Sequence, residues 1–477
     1  MDEVYSSYYS QYPGVEIFRE AMPLVLAGLI LYYYYRGKIS IVETLLYTFA
    51  TEAYCMLAIG PTFNTTLIVG AVFTLEMVHR LLTGRLYIRR GYLLLLVLPL
   101  FSSLAVFLLV SFGKNVFAYP GGSRVDFYLR PLYFYLKTYL PLFAIGAKIA
   151  EDRASLTFSS FSRAVRRITR VSCFIALLQL LIVHGTHNHA LAQVFGLQER
   201  YLLEQQGEAI QLRVQALFAE PKTFSAFLAL AIPLLLRNRS YALAIFATIT
   251  GILTISQTFW TDLGAFAVVF FLLNRLRPLR LQIWVGLAAM IGLFMLISGS
   301  TQYLFNQYMA NQQNPLYKLL FERSVSRYDV YDQGKENVIL GLPLQEDLEF
   351  PVVRFLTDNP DLLLTGYGPG NSTFIPPDYF YGTQSYEFRV SGRGATNLNM
   401  RWLYLAAEFG LPVFCCFFVV LTRVRRNLPR FEQNYFGSIW ICLFFSQIDI
   451  FFIIVALLSC YQPAPLEQTS RYEYLPG

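Results

Sequence analysis

The most constraining feature of the sequence is its series of long apolar runs, separated by short polar stretches. A helix needs roughly 20 mainly apolar residues to cross about 30 Å of hydrocarbon with its backbone groups satisfied. The chain is 55% hydrophobic and 14% charged, whereas soluble domains are roughly 45–50% apolar and about 25% charged. A water-soluble core could not enclose so large an apolar fraction. The sequence therefore predicts an all-α, polytopic integral membrane protein.

The apolar runs predict about twelve transmembrane helices. Residues 1–298 are expected to form a bundle of about ten of them, and residues 398–477 a C-terminal hairpin and tail. The start of the chain has no basic region, so we expect the first helix to stay in the membrane. The spans are predicted near residues 18–35, 40–60, 64–83, 90–112, 131–150, 168–186, 222–236, 239–257, 260–275, 281–298, 398–422 and 435–459.

Basic residues cluster after every second predicted boundary, as in Arg163 to Arg170, whereas connections such as residues 61–64 carry none. Cytoplasmic loops of membrane proteins are rich in Lys and Arg, so these clusters should face the cytoplasm and both termini the outside. Topology then accounts for the formal charge of +7, and we expect no nucleic-acid partner. Residues 113–130, 187–221 and 299–397 become large external loops, the last a small domain or a lid.

Three charged residues, Arg213, Glu220 and Lys222, gather where an external loop meets a predicted helix. Charge so close to hydrocarbon usually faces a bundle interior or a polar cavity. An arginine fork suits phosphate oxygens, and helix N-terminal amides also attract anions. The alternative is a cluster that only anchors the helix end, with its charged groups extended to the membrane surface.

Two further groups lie in or after the largest loop. The glycines of residues 365–371, with Gly368 at the centre, allow close approach to a ligand, although a plain turn is the simpler explanation. Arg389, Arg393 and Arg401 then approach the membrane from outside, with Asn399 among them and Glu408 beyond. Arginines on this side call for an anionic partner, either a ligand or the carboxylates of Glu387 and Glu408.

Other titratable residues favour structural interpretations. Three histidines, at positions 184, 187 and 189, have no carboxylate or cysteine close in sequence, so we predict a solvated loop and no metal. Six cysteines lie within or beside apolar helices and are expected to be packing residues. Intramembrane acids could form a proton path or hydrogen-bond between helices; they are Glu43, Glu52, Glu76 and Asp262. Nucleotide-binding motifs are absent, and we predict no cofactor.

Three segments resemble the O-antigen polymerase and O-antigen ligase superfamily of bacterial membrane glycosyltransferases. Arg213 to Lys222 is similar to the family's Arg-x-x-Gly-x-Phe-x-Asn/Glu-Pro element, with Ala216 in place of glycine and Lys222 in place of the common asparagine. Thr365 to Asn371 resembles its glycine turn, and Asn399 to Leu411 its closing helix pattern. Ligases of this family carry a histidine about eleven residues before the glycine at position 410, where this chain has Asn399. Asparagine cannot act as a general base, which favours a polymerase.

The resemblance implies a GT-C-like helical bundle in the bacterial inner membrane, with a metal-independent active site facing the periplasm. Its substrates would be two undecaprenyl-diphosphate-linked oligosaccharides, and a chain-length regulator would be a possible partner. Arg213 is expected to bind diphosphate, together with Lys222, Arg389, Arg393, Arg401, Asn399 and Gly368. Glu220 is the candidate base, and Glu408 the second candidate.

Other functions remain open at this point. A ligase or a protein glycosyltransferase would share the donor chemistry and differ in the acceptor, which for a ligase is lipid A-core. A flippase or other transporter would also need many helices and a cationic cavity. Transporters commonly show two related halves and charges near the membrane midplane, whereas this chain shows no repeat and carries its unusual charges at one face.

Overall fold

The computed structural model describes residues 12–56, 63–84, 124–136, 140–151, 158–198, 211–275, 349–381, 401–426 and 428–442, with short pieces between them. This part of the chain is mainly helical, as predicted. Its only strands are two antiparallel pairs of two residues each, Leu202–Leu203 with Gln211–Leu212 and Val338–Ile339 with Leu342–Pro343. The predicted all-α class is therefore confirmed.

Seven α-helices precede residue 200 within these residues. They are α1 (Pro13–Tyr35), α2 (Ile41–Phe49), α3 (Thr65–Leu82), α4 (Arg124–Phe134), α5 (Leu140–Glu151), α6 (Phe158–Leu181, extended by a wider turn at Ile182–Thr186) and α7 (His189–Val194). Seven more follow. They are α8 (Pro221–Arg237), α9 (Tyr241–Leu253), α10 (Gln257–Arg275), α11 (Glu349–Asp358), α12 (Leu362–Thr365), α13 (Arg401–Arg426) and α14 (Arg430–Cys442).

Side-chain caps fix where several helices begin. The Ser40 hydroxyl accepts a hydrogen bond from the Glu43 amide, and the Glu43 carboxylate accepts one from the Ser40 amide at 2.9 Å. This reciprocal capping box satisfies two amides that a helix start leaves without partners. Asn64 caps α3 in a similar way, through its side-chain oxygen and the Leu67 amide.

The core centres on α8, which is buried along most of its length. It packs against α6, α9 and α10, and α10 packs in turn against α14. A second close pair is α3 with α5, where Gly70 faces Pro141. A Cβ at Gly70 would lie 2.4 Å from the Pro141 Cβ, so only glycine permits this separation.

Two helices within the described residues are long and apolar enough to cross a membrane, Thr65–Leu82 and Phe158–Thr186. The predicted count of about twelve spans is thus not confirmed. The predicted span at 40–60 contains only the short α2, and that at 131–150 falls across two helices, α4 and α5. Most of the predicted spans at 90–112 and 281–298 lies outside the described residues.

Three of the acids that were predicted to lie within the membrane form contacts between helices, in agreement with the structural alternative for them. Glu43 pairs with Arg167 at 2.5 Å. The hydroxyl of Thr66 donates to Glu52 at 3.1 Å, and Glu76 pairs with Arg80 and with Lys148. These contacts join α2 to α6 and α3 to α5.

Candidate functional site

Arg213 lies in a buried segment that leads into α8. Its side chain is 7% exposed, and its Nε donates to the carbonyl oxygen of Thr254 at 3.3 Å. The next residue, Val214, donates its amide to Leu253 at 3.4 Å. Thr254 directly follows α9, so the guanidinium lies at a helix C-terminus, where the helix dipole favours a cation.

Two glutamines hold this segment inside the protein. The Gln179 side chain donates to Ala216 O at 2.9 Å and accepts from Ala216 N at 3.1 Å. The Gln215 side chain donates to Gly196 O at 2.7 Å and to Phe218 O at 3.2 Å. Buried backbone groups need such partners, and a loop cannot provide them by itself. The two glutamines therefore allow a non-helical segment to lie beside α8.

Ala216 has an unusual backbone conformation at the centre of this segment. Its φ is +51°, and its side chain is fully buried. This left-handed region is one that glycine adopts readily and other residues rarely do. Gly196 approaches it closely, since a Cβ there would lie 3.1 Å from Ala216 O.

Glu220 and Lys222 flank the start of α8. Their side chains form an ion pair at 3.2 Å and are 31% and 35% exposed. Pro221 is the first residue of the helix, in agreement with its predicted place in the first turn. Glu220 and Lys222 are thus brought together in a more accessible position than Arg213.

The glycine turn of residues 366–370 packs on a break in α13. At Gly410 the backbone leaves the helical conformation, with φ +79° and ψ +159°. In a continuous helix the carbonyl of Glu408 would accept from residue 412, but Pro412 has no N–H. That carbonyl accepts instead from the Gly368 amide at 2.9 Å, and the Ala407 carbonyl accepts from Tyr367 at 2.8 Å.

The side chain of Glu408 completes this connection. Its carboxylate is fully buried and accepts from the Gly370 amide at 2.8 Å, the Ser372 hydroxyl at 2.7 Å and the Ser372 amide at 3.4 Å. Glu408 therefore fixes the turn through both its carbonyl and its carboxylate.

A cation that the sequence did not indicate lies beside the turn. Arg130 of α4 stacks on the ring of Phe374, 4.9 Å from its centroid. The Asn371 side chain donates to Phe127 O at 3.2 Å, while its own Oδ1 accepts no hydrogen bond within the described part. These contacts join the glycine turn to α4, about 240 residues earlier.

Aromatic residues support the turn from its other side. Tyr367 packs on Phe355 of α11, and Phe355 also contacts Tyr379. Burial and the nearby Asp358 carboxylate raise the pKa of Tyr379, and its phenol is neutral at physiological pH. The turn is therefore held by packing as well as by hydrogen bonds.

The structure brings together only some of the residues singled out from the sequence. Gly368 and Glu408 form one cluster, and Arg213, Glu220 and Lys222 share one segment. Arg389, Arg393 and Asn399 lie outside the described residues, and Arg401 begins α13 with its side chain outside that part.

Sequence reasoning missed Arg130, Gln179, Gln215 and Ser372. Of these four residues, only Gln179 gave a signal in the sequence. It lies within the apolar stretch of residues 171–183, where a buried amide side chain needs a hydrogen-bonding partner.

The two clusters can perform different tasks. A buried guanidinium can bind an anion strongly, because few water molecules compete with it. The turn, held by these hydrogen bonds, presents its backbone beside the cation Arg130.

Among the described residues, no group of three His, Cys, Asp or Glu side chains could hold a metal ion. Comparisons of the chain with protein-family models, with curated proteins and with solved structures find no match.

Proposed function

We propose that this chain is a membrane glycosyltransferase that polymerises oligosaccharide repeat units carried on undecaprenyl diphosphate. The observation that carries the proposal is the burial of Arg213, 7% exposed, in a segment held inside the helices by glutamine side chains. A basic residue that only anchored a helix end would extend to the surface. A buried guanidinium in a non-helical segment between helices suits a bound anion instead.

The proposed reaction is the one that the family resemblance implies. A sugar hydroxyl oxygen of one lipid-linked chain attacks the anomeric carbon of the other, and the bond from that carbon to the diphosphate oxygen breaks. The lipid diphosphate leaves with growing negative charge, which a preorganised guanidinium such as Arg213 stabilises. Lys222, which pairs with Glu220 at the start of α8, is the proposed second cation. Glu220, partly exposed at the start of α8, is the proposed base that takes the hydroxyl proton.

Glu408 has a different role in this proposal. Its carboxylate oxygens accept hydrogen bonds from Gly370 and Ser372, and they are committed to holding the turn. We therefore assign Glu408 as a positioning residue and keep Glu220 as the base.

Two features of the structure support the resemblance to the O-antigen polymerase superfamily. Ala216 adopts a positive φ at the position where the family element carries glycine. The glycine turn and the Glu408-Phe-Gly410 pattern, far apart in the sequence, lie against each other. The second feature brings two of the three family-like segments into contact.

Contacts between the segments that link the predicted spans support the topology that the proposal requires. Segments predicted to face the cytoplasm meet one another, as in the 2.6 Å hydrogen bond from Asn238 to Ser162. Segments predicted to be external also meet, as Asn371 does with Phe127. Large apolar side chains are exposed on α1 and α3, including Leu75 and Leu82, which is typical of a surface covered by lipid. Both candidate clusters then lie on the periplasmic side.

Incubating the purified full-length protein with lipid-linked repeat units alone tests the proposal. Polymerisation gives longer lipid-linked glycans, resolved by gel or mass spectrometry. A product that forms only when lipid A-core is added identifies a ligase. The absence of a covalent product with either acceptor, together with movement of the substrate across vesicles, identifies a transporter and overturns the proposal.

A further inference from the structure

Three tyrosines gather on the surface of the largest loop, close to the glycine turn. A short 3₁₀ helix, Pro377–Phe380, packs against α11 and is followed by Tyr381. Tyr381 is 77% exposed, and its ring contacts the edge or face of Tyr386 at 5.4 Å between centroids. Tyr379, within the 3₁₀ helix, packs on Phe355. We refer to Tyr379, Tyr381 and Tyr386 as the tyrosine surface.

Polar side chains border these rings. The Tyr379 hydroxyl lies beside the Asp358 carboxylate and the Asn359 side chain at the end of α11, and Arg354 lies one turn earlier in that helix. Asp378, the residue before Tyr379, is exposed. The surface therefore combines aromatic rings with carboxylate, amide and guanidinium groups that form hydrogen bonds.

This combination suits a sugar better than an anion or a membrane surface. The negative face of an aromatic ring attracts the C–H groups of a sugar ring, and sugar hydroxyls donate to carboxylates as well as accept from amides and guanidinium groups. The exposed carboxylates of Asp358 and Asp378 repel a phosphate group or an anionic lipid headgroup. A neutral ligand rich in hydroxyl groups meets no such repulsion.

The tyrosine surface is also connected to the glycine turn. Phe355, which contacts Tyr379, packs on Tyr367 at 5.0 Å between centroids. Tyr367 belongs to the turn and donates its amide to the carbonyl of Ala407 in α13. A glycan on the tyrosine surface therefore lies close to the turn that Glu408 holds.

We propose that the tyrosine surface binds the oligosaccharide of a lipid-linked substrate, with a sugar ring stacked on Tyr381. The inference rests on the proposed function, which supplies the glycan. It assigns the sugars to the loop and leaves the diphosphate to residues 213–222. The loop then acts as a glycan-binding subdomain.

Binding of a glycan without its lipid tests this site separately from catalysis. The probe is the oligosaccharide that mild acid releases from the lipid-linked intermediates of the source cells, labelled with a fluorophore. Its fluorescence anisotropy is measured with the purified full-length protein. We expect Tyr381→Ala to weaken binding about fivefold. Tyr381→Phe keeps the ring and should retain most of the affinity.

Tyr241→Ala is the matched control, since it removes another exposed tyrosine, at the start of α9. It should bind the glycan as the wild type does. Equal affinities of the wild type and Tyr381→Ala, or no binding by the wild type, would overturn the proposal. Displacement of the glycan by millimolar pyrophosphate would show an anion site and would overturn it as well.

The chain-extension assay separates this proposal from the polymerase. Glycan binding that depends on Tyr381, in a protein that forms no longer product, would support the tyrosine surface and refute the polymerase. Longer products with unchanged glycan affinity in Tyr381→Ala would do the reverse. Because Tyr381 is exposed, its removal should leave the unfolding midpoint unchanged, and loss of fold does not confuse the comparison.

Discussion

The carboxylate of Glu408 accepts a 2.7 Å hydrogen bond from the hydroxyl of Ser372, which lies 36 residues earlier in the chain. The contact joins a turn of the largest loop to a helix of the bundle. Beside it, the break at Gly410 and the missing N–H of Pro412 leave the Glu408 carbonyl free to accept from the Gly368 amide. The loop is therefore fixed to the bundle at this point.

Replacing Glu408 by Gln should destabilise the protein. The glutamine amide has only one oxygen, so its NH2 group would face one of the donors from which the carboxylate oxygens now accept a hydrogen bond. A buried donor left without an acceptor costs about 1–3 kcal/mol. We expect a lower midpoint of thermal unfolding in detergent, and Ser372→Ala should have a smaller effect in the same direction.

Asp378→Asn is the matched control for this change, since Asp378 is an exposed acid in the same loop. Its unfolding midpoint should equal that of the wild type. Equal midpoints for Glu408→Gln and Asp378→Asn would show that the carboxylate does not hold the turn.

Gly366→Ala should disrupt the same connection through the backbone. Gly366 has φ +74°, and a Cβ there would lie 2.4 Å from the carbonyl oxygen of Glu408. With ψ at +172°, this backbone conformation is one that essentially only glycine adopts; it costs another residue about 1–3 kcal/mol, and the contact adds to that cost. Limited proteolysis of the loop should become faster, and the unfolding midpoint should fall.

Gly28→Ala provides the comparison. Gly28 lies within α1, and a Cβ there would meet no atom within 4 Å. Alanine favours a helix by up to about 1 kcal/mol over glycine. This variant should be as stable as the wild type or more so, and equal losses in both variants would argue against a special constraint at Gly366.

The sequence predicts helices well where the apolar run is long and its ends carry polar caps. Residues 64–83 were predicted as a span, and the structure places α3 at Thr65–Leu82, after the cap Asn64.

The predicted helix at 40–60 was wrong in length. The chain turns after Phe49, and Tyr54 donates to Val194 O at 2.6 Å. An apolar composition does not reveal such a turn, because its partner lies 140 residues away.

The candidate site was predictable in its parts and not in its assembly. Glycine spacing indicated a turn, and Arg213 stood out because charge is rare beside hydrocarbon. The pairing of the turn with the broken helix depends on Pro412, whose missing N–H has a consequence only in three dimensions. Arg130 gave no signal, because a lone arginine in a loop is ordinary until a ring such as Phe374 lies beneath it.

Ala216→Gly should be tolerated without loss of stability. Glycine adopts the positive φ without strain, which favours the variant by about 1–2 kcal/mol. Two losses oppose this gain: the buried methyl group, worth about 0.8 kcal/mol, and the greater conformational freedom of the unfolded chain. Ala219→Gly, at a position without positive φ, has no such relief and should lower the unfolding midpoint. A larger loss for Ala216→Gly than for Ala219→Gly would contradict the strained conformation.

Arg213→Ala should abolish chain extension by the purified protein. Removing one donor that stabilises transition-state charge typically lowers kcat by about 10²–10³. Arg213→Lys keeps the charge but loses the planar fork that can hold two phosphate oxygens at once, so its activity should lie between those of Ala and the wild type. The readout is the rate of formation of longer lipid-linked glycans.

Arg163→Ala is the control, because that arginine is exposed on α6 and belongs to a predicted cytoplasmic segment. It should retain full activity. The unfolding midpoint of each variant separates loss of catalysis from loss of fold, since Arg213 also donates to Thr254 O. A folded Arg213→Ala protein that extends chains at nearly the wild-type rate would exclude this guanidinium from the reaction, because a buried cation binding the leaving diphosphate cannot be dispensable.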